Sequence, residues 1–163
     1  MIREANAEDS KKITDIYNHY ILNSAATFEE HSILHSDIAV RMKKVKQQGL
    51  PWLVSEVDDD LEGYAYANSW NSRSAYRFTV EVSVYVSHTC SSNGVGTKLY
   101  EALFAELKDL SIQEAIAIIT LPNDRSVSLH EKFGMKKVAH LERVGFKFDH
   151  WLDVGYWQGR IIA

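Results

Sequence analysis

The sequence predicts an α/β (α+β) protein with a mixed central sheet that carries helices on both faces. Three observations predict this class. In Thr79–Val86, valine alternates with polar or charged residues, which is the period of a strand with two unlike faces. The run Ala115–Thr120 is almost entirely apolar, as in a central strand covered on both faces. The segment between these strands carries leucines at helical spacing, namely Leu99, Leu103, Leu107 and Leu110.

Composition and charge limit the class of protein further. With 163 residues, of which 45% are hydrophobic, the chain has the size of one domain, predicted to span residues 1–163. Its net charge of −4 and the lack of any basic run longer than two residues disfavour nucleic acid as a partner. A single cysteine, Cys90, excludes an intrachain disulfide and suits a reducing compartment. Since no long apolar run is present, we expect a cytoplasmic protein with no membrane partner.

The elements before residue 70 follow from apolar spacing and turn residues. A short strand, Ile2–Ala5, precedes a helix whose buried face carries Ile13, Ile16, Tyr17, Tyr20 and Ile21. A second helix begins at Ser36-Asp37 and ends at Gly49. The acidic turn Asp58–Asp60 then joins the two strands of a hairpin, Trp52–Val57 and Leu61–Ala67. Its three aspartates lack ligand spacing, so we expect a solvated turn and no metal site.

Beyond residue 120 the pattern gives one more helix and two strands. The helix, Ser126–Phe133, is ended by Gly134. From Met135 to Trp157 the alternation predicts two long antiparallel strands with a turn near Asp149-His150. No repeat, linker or low-complexity segment interrupts this order.

The segment that follows the valine strand is a candidate anion site. Asn93-Gly94-Val95-Gly96-Thr97 opens the helix that carries the leucines. A strand, a glycine turn and a helix in this order bring free backbone N–H groups and the positive end of a helix dipole to one point. That point attracts phosphate, although glycine serves simple tight turns equally well.

Several motifs together resemble the GNAT superfamily of N-acetyltransferases. They are the valine strand, the glycine loop, the helix after it, Leu121–Asp124 and His130–Met135. More closely, the segments TVEVSVYVS, LPNDRSVSLHE and VGFKFDHWLDVGYWQ resemble the phosphinothricin and methionine sulfoximine N-acetyltransferases, from Ile2 to about Gln158. The resemblance implies the GNAT fold with its sheet splayed at the strand that carries Glu81. It also implies acetyl-CoA as donor, a small amino acid as acceptor, and direct attack in a ternary complex.

The resemblance assigns cofactor-binding residues as well. The backbone of Val84, Tyr85 and Val86 would pair with the pantetheine arm like an added strand. The side chain of Asn123 would contact the same arm. The pyrophosphate would be held by N–H groups of the loop residues Ser92, Asn93, Gly94, Val95, Gly96 and Thr97. This chain departs from the family at the start of the loop, where Ser91-Ser92 replaces the usual Gln/Arg-Arg and removes a cationic contribution.

Two residues are candidates for the proton transfers that acetylation of an amine needs. Glu81 lies on the face of the strand opposite the valines, and partial burial would raise its pKa toward that of a general base. Its alternative is an ion pair with Arg73, Arg77 or a lysine that serves only the fold. By resemblance, His130 would protonate the leaving sulfur or act as a second base; its alternative is a packing histidine without a role. No base is predicted beside Cys90, so covalent catalysis is disfavoured.

The acceptor site rests on the resemblance and on two polar loops. Arg73 and Tyr76 match the family's RxAY segment, and a guanidinium suits the carboxylate of an amino acid. Phe28 and Glu30 would form one wall. The alternatives are a surface arginine and an aromatic that plugs the core.

Partners and competing functions stay open at this point. The aromatic C-terminal strands supply either a homodimer interface or a sheet covered within one chain, through Phe146, Phe148, Trp151, Tyr156 and Trp157. An acceptor of another kind, a peptide N-terminus or a polyamine, is the first alternative function. A non-catalytic module that binds CoA is the second.

Overall fold

The computed structural model describes residues 1–90 and 93–161, which form a seven-stranded mixed sheet with helices on both faces. In chain order the elements are β1 (Ile2–Glu4), α1 (Ser10–Asn23), α2 (His35–Gln47), β2 (Trp52–Val57), β3 (Asp60–Ser69), β4 (Thr79–Val86), α3 (Val95–Asp109), β5 (Glu114–Leu121), α4 (Asp124–Lys132), β6 (Lys136–Lys147) and β7 (His150–Arg160). The strand order across the sheet is β1-β2-β3-β4-β5-β7-β6. Within these residues only β4 and β5 pair in parallel. The predicted mixed sheet is confirmed.

Element ends differ from the predicted ones for local reasons. Helix α4 begins at Asp124, two residues early, because the Asn123 side chain caps it by accepting the Ser126 N–H at 3.2 Å. The prediction that four leucines lie along α3 is wrong for the last of them. Leu110 follows the last helical residue and is 47% exposed, whereas the other three are fully buried. Within the described residues, no helix is long and apolar enough to cross a membrane.

Strand β4 separates two hydrophobic cores. Its even-numbered side chains, including Val80 and Val82, pack with the leucines of α3. Tyr85, on the other face, packs against the core that α1 and α2 share with Tyr64. Because successive side chains of a strand point to opposite faces, the same eight residues serve both layers.

The sheet opens between β4 and β5. Strand β4 pairs with β3 from Val80 to Val86, but its parallel pairing with β5 covers only Thr79–Glu81 against Glu114–Ile116. Strand β5 instead pairs with β7 along its whole length. The two central strands therefore part after Glu81, which confirms the predicted splay. We call the space between them the β4–β5 gap.

Candidate active site

The β4–β5 gap holds a cavity of about 490 Å³. Its walls come from the end of β4, the first turn of α3, the end of β5 and one face of α4. Of the residues that the sequence assigned to the cofactor or to proton transfer, the cavity brings together Val84, Tyr85, Val86, Gly94, Val95, Gly96, Thr97, Asn123 and His130. Asn93 lies just before this turn and is exposed. Ser92 lies outside the described residues.

Backbone groups of β4 point into the gap. The Thr79 carbonyl accepts the Trp70 N–H at 3.3 Å and the Ser87 N–H donates to Glu62 at 2.8 Å, so odd-numbered residues direct their peptide groups toward β3. Even-numbered residues consequently direct theirs toward β5. Beyond the last paired residue, the peptide groups of Val84 and Val86 therefore face the cavity. The Val86 carbonyl accepts the Tyr20 hydroxyl at 2.5 Å.

The first turn of α3 lies at the same cavity, and its N–H groups have no hydrogen-bond acceptor among residues 1–90 and 93–161. Gly94, the N-cap, has φ +79° and ψ 11°, a left-handed conformation that glycine adopts without a steric penalty. As a glycine, Gly94 has no side chain that could cap this helix end. At Gly96, a Cβ would lie 3.3 Å from Leu129 and 3.6 Å from Val86, so glycine lets α3 approach α4 and β4 closely. The turn therefore has the donors and the dipole that bind an anion.

Glu81 stands where the two strands part. Its carboxylate makes no hydrogen bond or ion pair with residues 1–90 or 93–161, and burial raises its pKa. The alternative pairing with Arg77 is absent, because that guanidinium lies 4.5 Å from the Phe78 ring and donates to the Ser74 carbonyl. Arg73 is exposed on the loop before β4. A carboxyl group in this setting can accept a proton near neutral pH.

His130 is buried, and both of its ring nitrogens are engaged. Nδ1 lies 2.7 Å from the Ser126 carbonyl, which can only accept, so Nδ1 carries the hydrogen in the neutral ring. Nε2 lies 2.8 Å from the Tyr100 hydroxyl and accepts from it. Burial lowers the pKa of His130, which favours this neutral form.

Tyr100 is a site residue that the sequence interpretation missed. It lies on α3, its side chain is fully buried, and it lines the cavity beside His130. The available signal was a hydroxyl-bearing residue on the buried face of the leucine helix, next to Leu99.

The loop after α1 forms one side of the cavity through Ala26. Phe28 is 39% exposed and packs on the hairpin of β6 and β7, since a Cβ on Gly145 would lie 2.2 Å from its ring. Glu30 is exposed. The ordered carboxylate is the neighbouring Glu29, which the sequence interpretation missed.

Glu29 is fixed by several partners. It accepts two hydrogen bonds from Arg41, at 2.6 and 2.9 Å, and one from Tyr17. The Arg41 guanidinium keeps the pKa of Glu29 below its ordinary value. A charged Glu29 therefore fastens this loop to α1 and α2.

Arg73 and Tyr76 do not line the cavity. They lie on the exposed loop between β3 and β4, where Ser74–Tyr76 forms a 3₁₀ turn. Trp70 anchors the start of this loop by an edge-on contact with Tyr156, with ring centres 6.1 Å apart. The structure thus separates the two predicted acceptor ligands from the cofactor residues.

Fold and cavity together define a class of protein. An open strand edge, a helix start suited to anions and a half-buried carboxylate where the two strands part fit an extended acyl donor that ends in phosphate, as a CoA thioester does. The molecule is built as an acyltransferase of this kind.

Comparisons with known proteins give the family. The acetyltransferase (GNAT) domain model matches residues 2–155. A phosphinothricin N-acetyltransferase of Streptomyces viridochromogenes is 40% identical over 157 residues, which cover 96% of this chain and 85% of the relative. An L-methionine sulfoximine/L-methionine sulfone acetyltransferase of Salmonella typhimurium is 35% identical over 158 residues, with coverage of 96% and 92%. A solved acetyltransferase structure from Salmonella typhimurium, with its cofactor acetyl-CoA, superposes with a TM-score of 0.95 at 33% identity and covers 100% of this chain and 94% of that chain. The chain therefore belongs to the GNAT family of acetyltransferases, as the resemblance implied.

The neutral state of His130 predicts a pH dependence of stability. Its pKa is lowered by burial, so the unfolded chain binds a proton that the folded chain resists. Stability is then complete above the ordinary histidine pKa of about 6.5 and falls as pH drops below it. Urea denaturation between about pH 7 and pH 5.5 should show this loss, and His130→Gln should reduce its slope. An unchanged slope in that variant would contradict a neutral, buried His130.

Proposed function

We propose that this protein transfers the acetyl group of acetyl-CoA to the amino group of a small amino acid such as phosphinothricin or methionine sulfoximine or sulfone. The observation that carries the proposal is the β4–β5 gap, which has a helix start suited to anions on one wall and begins at the half-buried carboxylate of Glu81. The names of the relatives supply the acceptor class. Acetyl-CoA provides the acetyl group as a thioester, and the amine attacks it directly in a ternary complex.

The donor would lie along β4. The peptide groups of Val84 and Val86 would bind the pantetheine arm as an added strand, with Tyr85 between them, and Asn123 would contact the arm from α4. The phosphates would meet the first turn of α3, including Gly94 and Gly96. The loop residue Ser92 belongs to this proposal by resemblance alone.

Glu81 would remove the proton of the acceptor ammonium. Burial raises its pKa without a competing cation, which is the state that a general base near neutral pH needs. His130 lacks a proton that faces the cavity, so its geometry supports the role of second base over that of proton donor. It would act through Tyr100, whose oxygen can accept a proton while its own hydrogen moves to Nε2.

Replacement of Glu81 by glutamine is the sharpest test of the base. Glu81→Gln keeps the size and polarity of the side chain but cannot accept the proton, so we expect kcat to fall roughly 100-fold or more. The KM for acetyl-CoA should change little. In the wild type, activity should fall as the pH drops through the raised pKa of Glu81, and the variant should lose this dependence. Wild-type turnover in the variant would remove Glu81 from the mechanism.

Arg73 and Tyr76 would hold the acceptor, with Phe28 and Glu30 on the opposite side. For Arg73 and Tyr76, the support is their position a few residues before Glu81 and their match to the family's RxAY segment. Arg73 makes no side-chain contact with the rest of the described chain that would occupy its guanidinium.

Arg73→Ala should therefore raise the KM for the acceptor several-fold more than the KM for acetyl-CoA. Arg77→Ala is the matched control, because Arg77 is already engaged with Phe78 and Ser74. Steady-state kinetics with both substrates varied would measure the difference. Equal effects on both KM values, or equal effects of the two variants, would argue against carboxylate recognition by Arg73.

A homodimer is proposed from the surface of the β6–β7 hairpin. Phe146, Phe148 and Trp151 are each more than half exposed, and such an aromatic surface is typical of a protein interface. Trp157, by contrast, is 3% exposed and Tyr156 packs on Trp70, so these two belong to the monomer and not to the interface. Sedimentation as a monomer at micromolar concentration would overturn the dimer. We also propose a single domain over residues 1–163 and a cytoplasmic location, which suits a chain whose single cysteine, Cys90, cannot form an intrachain disulfide.

The function is tested by release of free CoA thiol from acetyl-CoA across a panel of acceptors. The panel contains phosphinothricin, methionine sulfoximine, methionine sulfone, the standard amino acids, polyamines and N-terminal peptides. We expect turnover with the glutamate and methionine analogues. Turnover with peptides or polyamines alone would overturn the acceptor class, and CoA binding without any turnover would indicate a binding module.

A further inference from the structure

Two positive side chains line the cavity. Among the described residues, the cations that line it are Arg125 and Lys132, both exposed and both on α4. They lie seven positions apart, which is about two helical turns, so they share a face and stand roughly 10 Å apart along the axis. Within residues 1–90 and 93–161 neither side chain has a hydrogen bond or an ion pair. Both charges are therefore available to an anion in the cavity.

The first of these cations, Arg125, lies beyond the end of β5, far along the strand from Glu81. Glu81 is opposite Ile116, and β5 continues for five residues to Leu121 before α4 begins. At roughly 3.3 Å per residue, that stretch is about 17 Å long. An acceptor with its amine at Glu81 cannot place its carboxylate at Arg125, because both groups are bonded to one carbon atom. The anion at Arg125 must belong to the donor.

The opposite wall supplies N–H groups but no charged side chain. The loop 87–97, which leads into α3, contains no lysine or arginine. A helix start contributes only about half an elementary charge. Since the whole chain carries a net charge of −4, its general field repels a polyanion, and local cations must compensate.

The charge of Arg125 also reaches across the gap. Burial raises the pKa of the Tyr20 hydroxyl, and the positive charge of Arg125 opposes that rise. Tyr20 lies on α1 and donates to the Val86 carbonyl at the open edge of β4. The charge of Arg125 is therefore felt near Val86, at the end of β4, where a ligand bound along this strand would extend toward solvent.

We propose that Arg125, assisted by Lys132, binds the phosphates of coenzyme A and supplies the positive charge that loop 87–97 lacks. This inference rests on the proposed use of acetyl-CoA. It assigns a binding role to two residues of α4 that the sequence analysis does not single out.

The test is calorimetric titration with CoA of the wild type, Arg125→Ala, Arg125→Lys and Arg160→Ala. Arg160 is an exposed arginine on β7, away from the cavity, and serves as the matched control. We expect Arg125→Ala to weaken CoA binding about tenfold, as the loss of one charge-assisted contact with phosphate implies. Arg125→Lys should restore most of the affinity, and Arg160→Ala should match the wild type. When salt is raised from about 0.05 to about 0.5 M, Arg125→Ala should lose less affinity than the wild type.

A second measurement separates charge from the shape of the wall. S-acetylpantetheine carries no phosphate, so kcat/KM with this donor should be the same for Arg125→Ala and the wild type. Equal losses with both donors, or unchanged CoA affinity in Arg125→Ala, would overturn the inference and leave the acetyltransferase standing. Failure of the wild type to bind CoA would overturn the proposed function itself. Equal thermal melting of all four proteins would show that the variants fold.

Discussion

The structure depends on the early parting of β4 and β5. Parallel pairing that stops after three residues leaves peptide groups of β4 without a strand partner, and such groups are costly to bury unpaired. One of them, the Val86 carbonyl, is satisfied by the hydroxyl of Tyr20. The others face a cavity that a ligand with alternating amide groups can fill as a strand does. Because β5 pairs with β7 along its whole length, the gap can open without loosening the rest of the sheet.

The gap also keeps a carboxyl group with a raised pKa apart from the cations that would attract an anionic ligand. A base needs a carboxyl group whose pKa is raised, and Glu81 achieves this by burial away from cations. A nearby arginine would lower that pKa and weaken the base. The cations that line the cavity lie instead on α4, which begins beyond the end of β5, and β5 extends about 17 Å past the residue opposite Glu81. The length of one strand would thus allow an acidic protein to attract a polyanion at the cavity and still keep a proton acceptor where the two strands part.

Much of this arrangement follows from local patterns, and the remainder depends on contacts between distant parts of the chain. Alternation along β4 was sufficient to place Glu81 opposite the valines, and the glycines were sufficient to place the turn before α3. Periodicity reports which face a residue occupies but not what it meets there. The hydrogen bond between Tyr100 and His130 joins residues thirty positions apart on two helices, so the pattern of either helix alone could not predict it. Likewise, spacing cannot show which of Glu29 and Glu30 is held in place, because this depends on the hydrogen bonds that Arg41 on α2 donates to Glu29.

The wall of the cavity and the proposed dimer surface are mechanically connected. Lys147, at the end of β6, is 2% exposed and donates to the carbonyls of Ser24 and Thr27, at 2.7 and 2.8 Å. Those residues flank Ala26, which lines the cavity. A buried ammonium group without hydrogen-bond acceptors is energetically unfavourable, so these two hydrogen bonds hold Lys147 and the loop together. Lys147 precedes Phe148 in the exposed aromatic surface, so packing of a second chain on that hairpin would restrict the loop as well. A dimer at the proposed surface would therefore restrict the part of the cavity wall that contains Ala26.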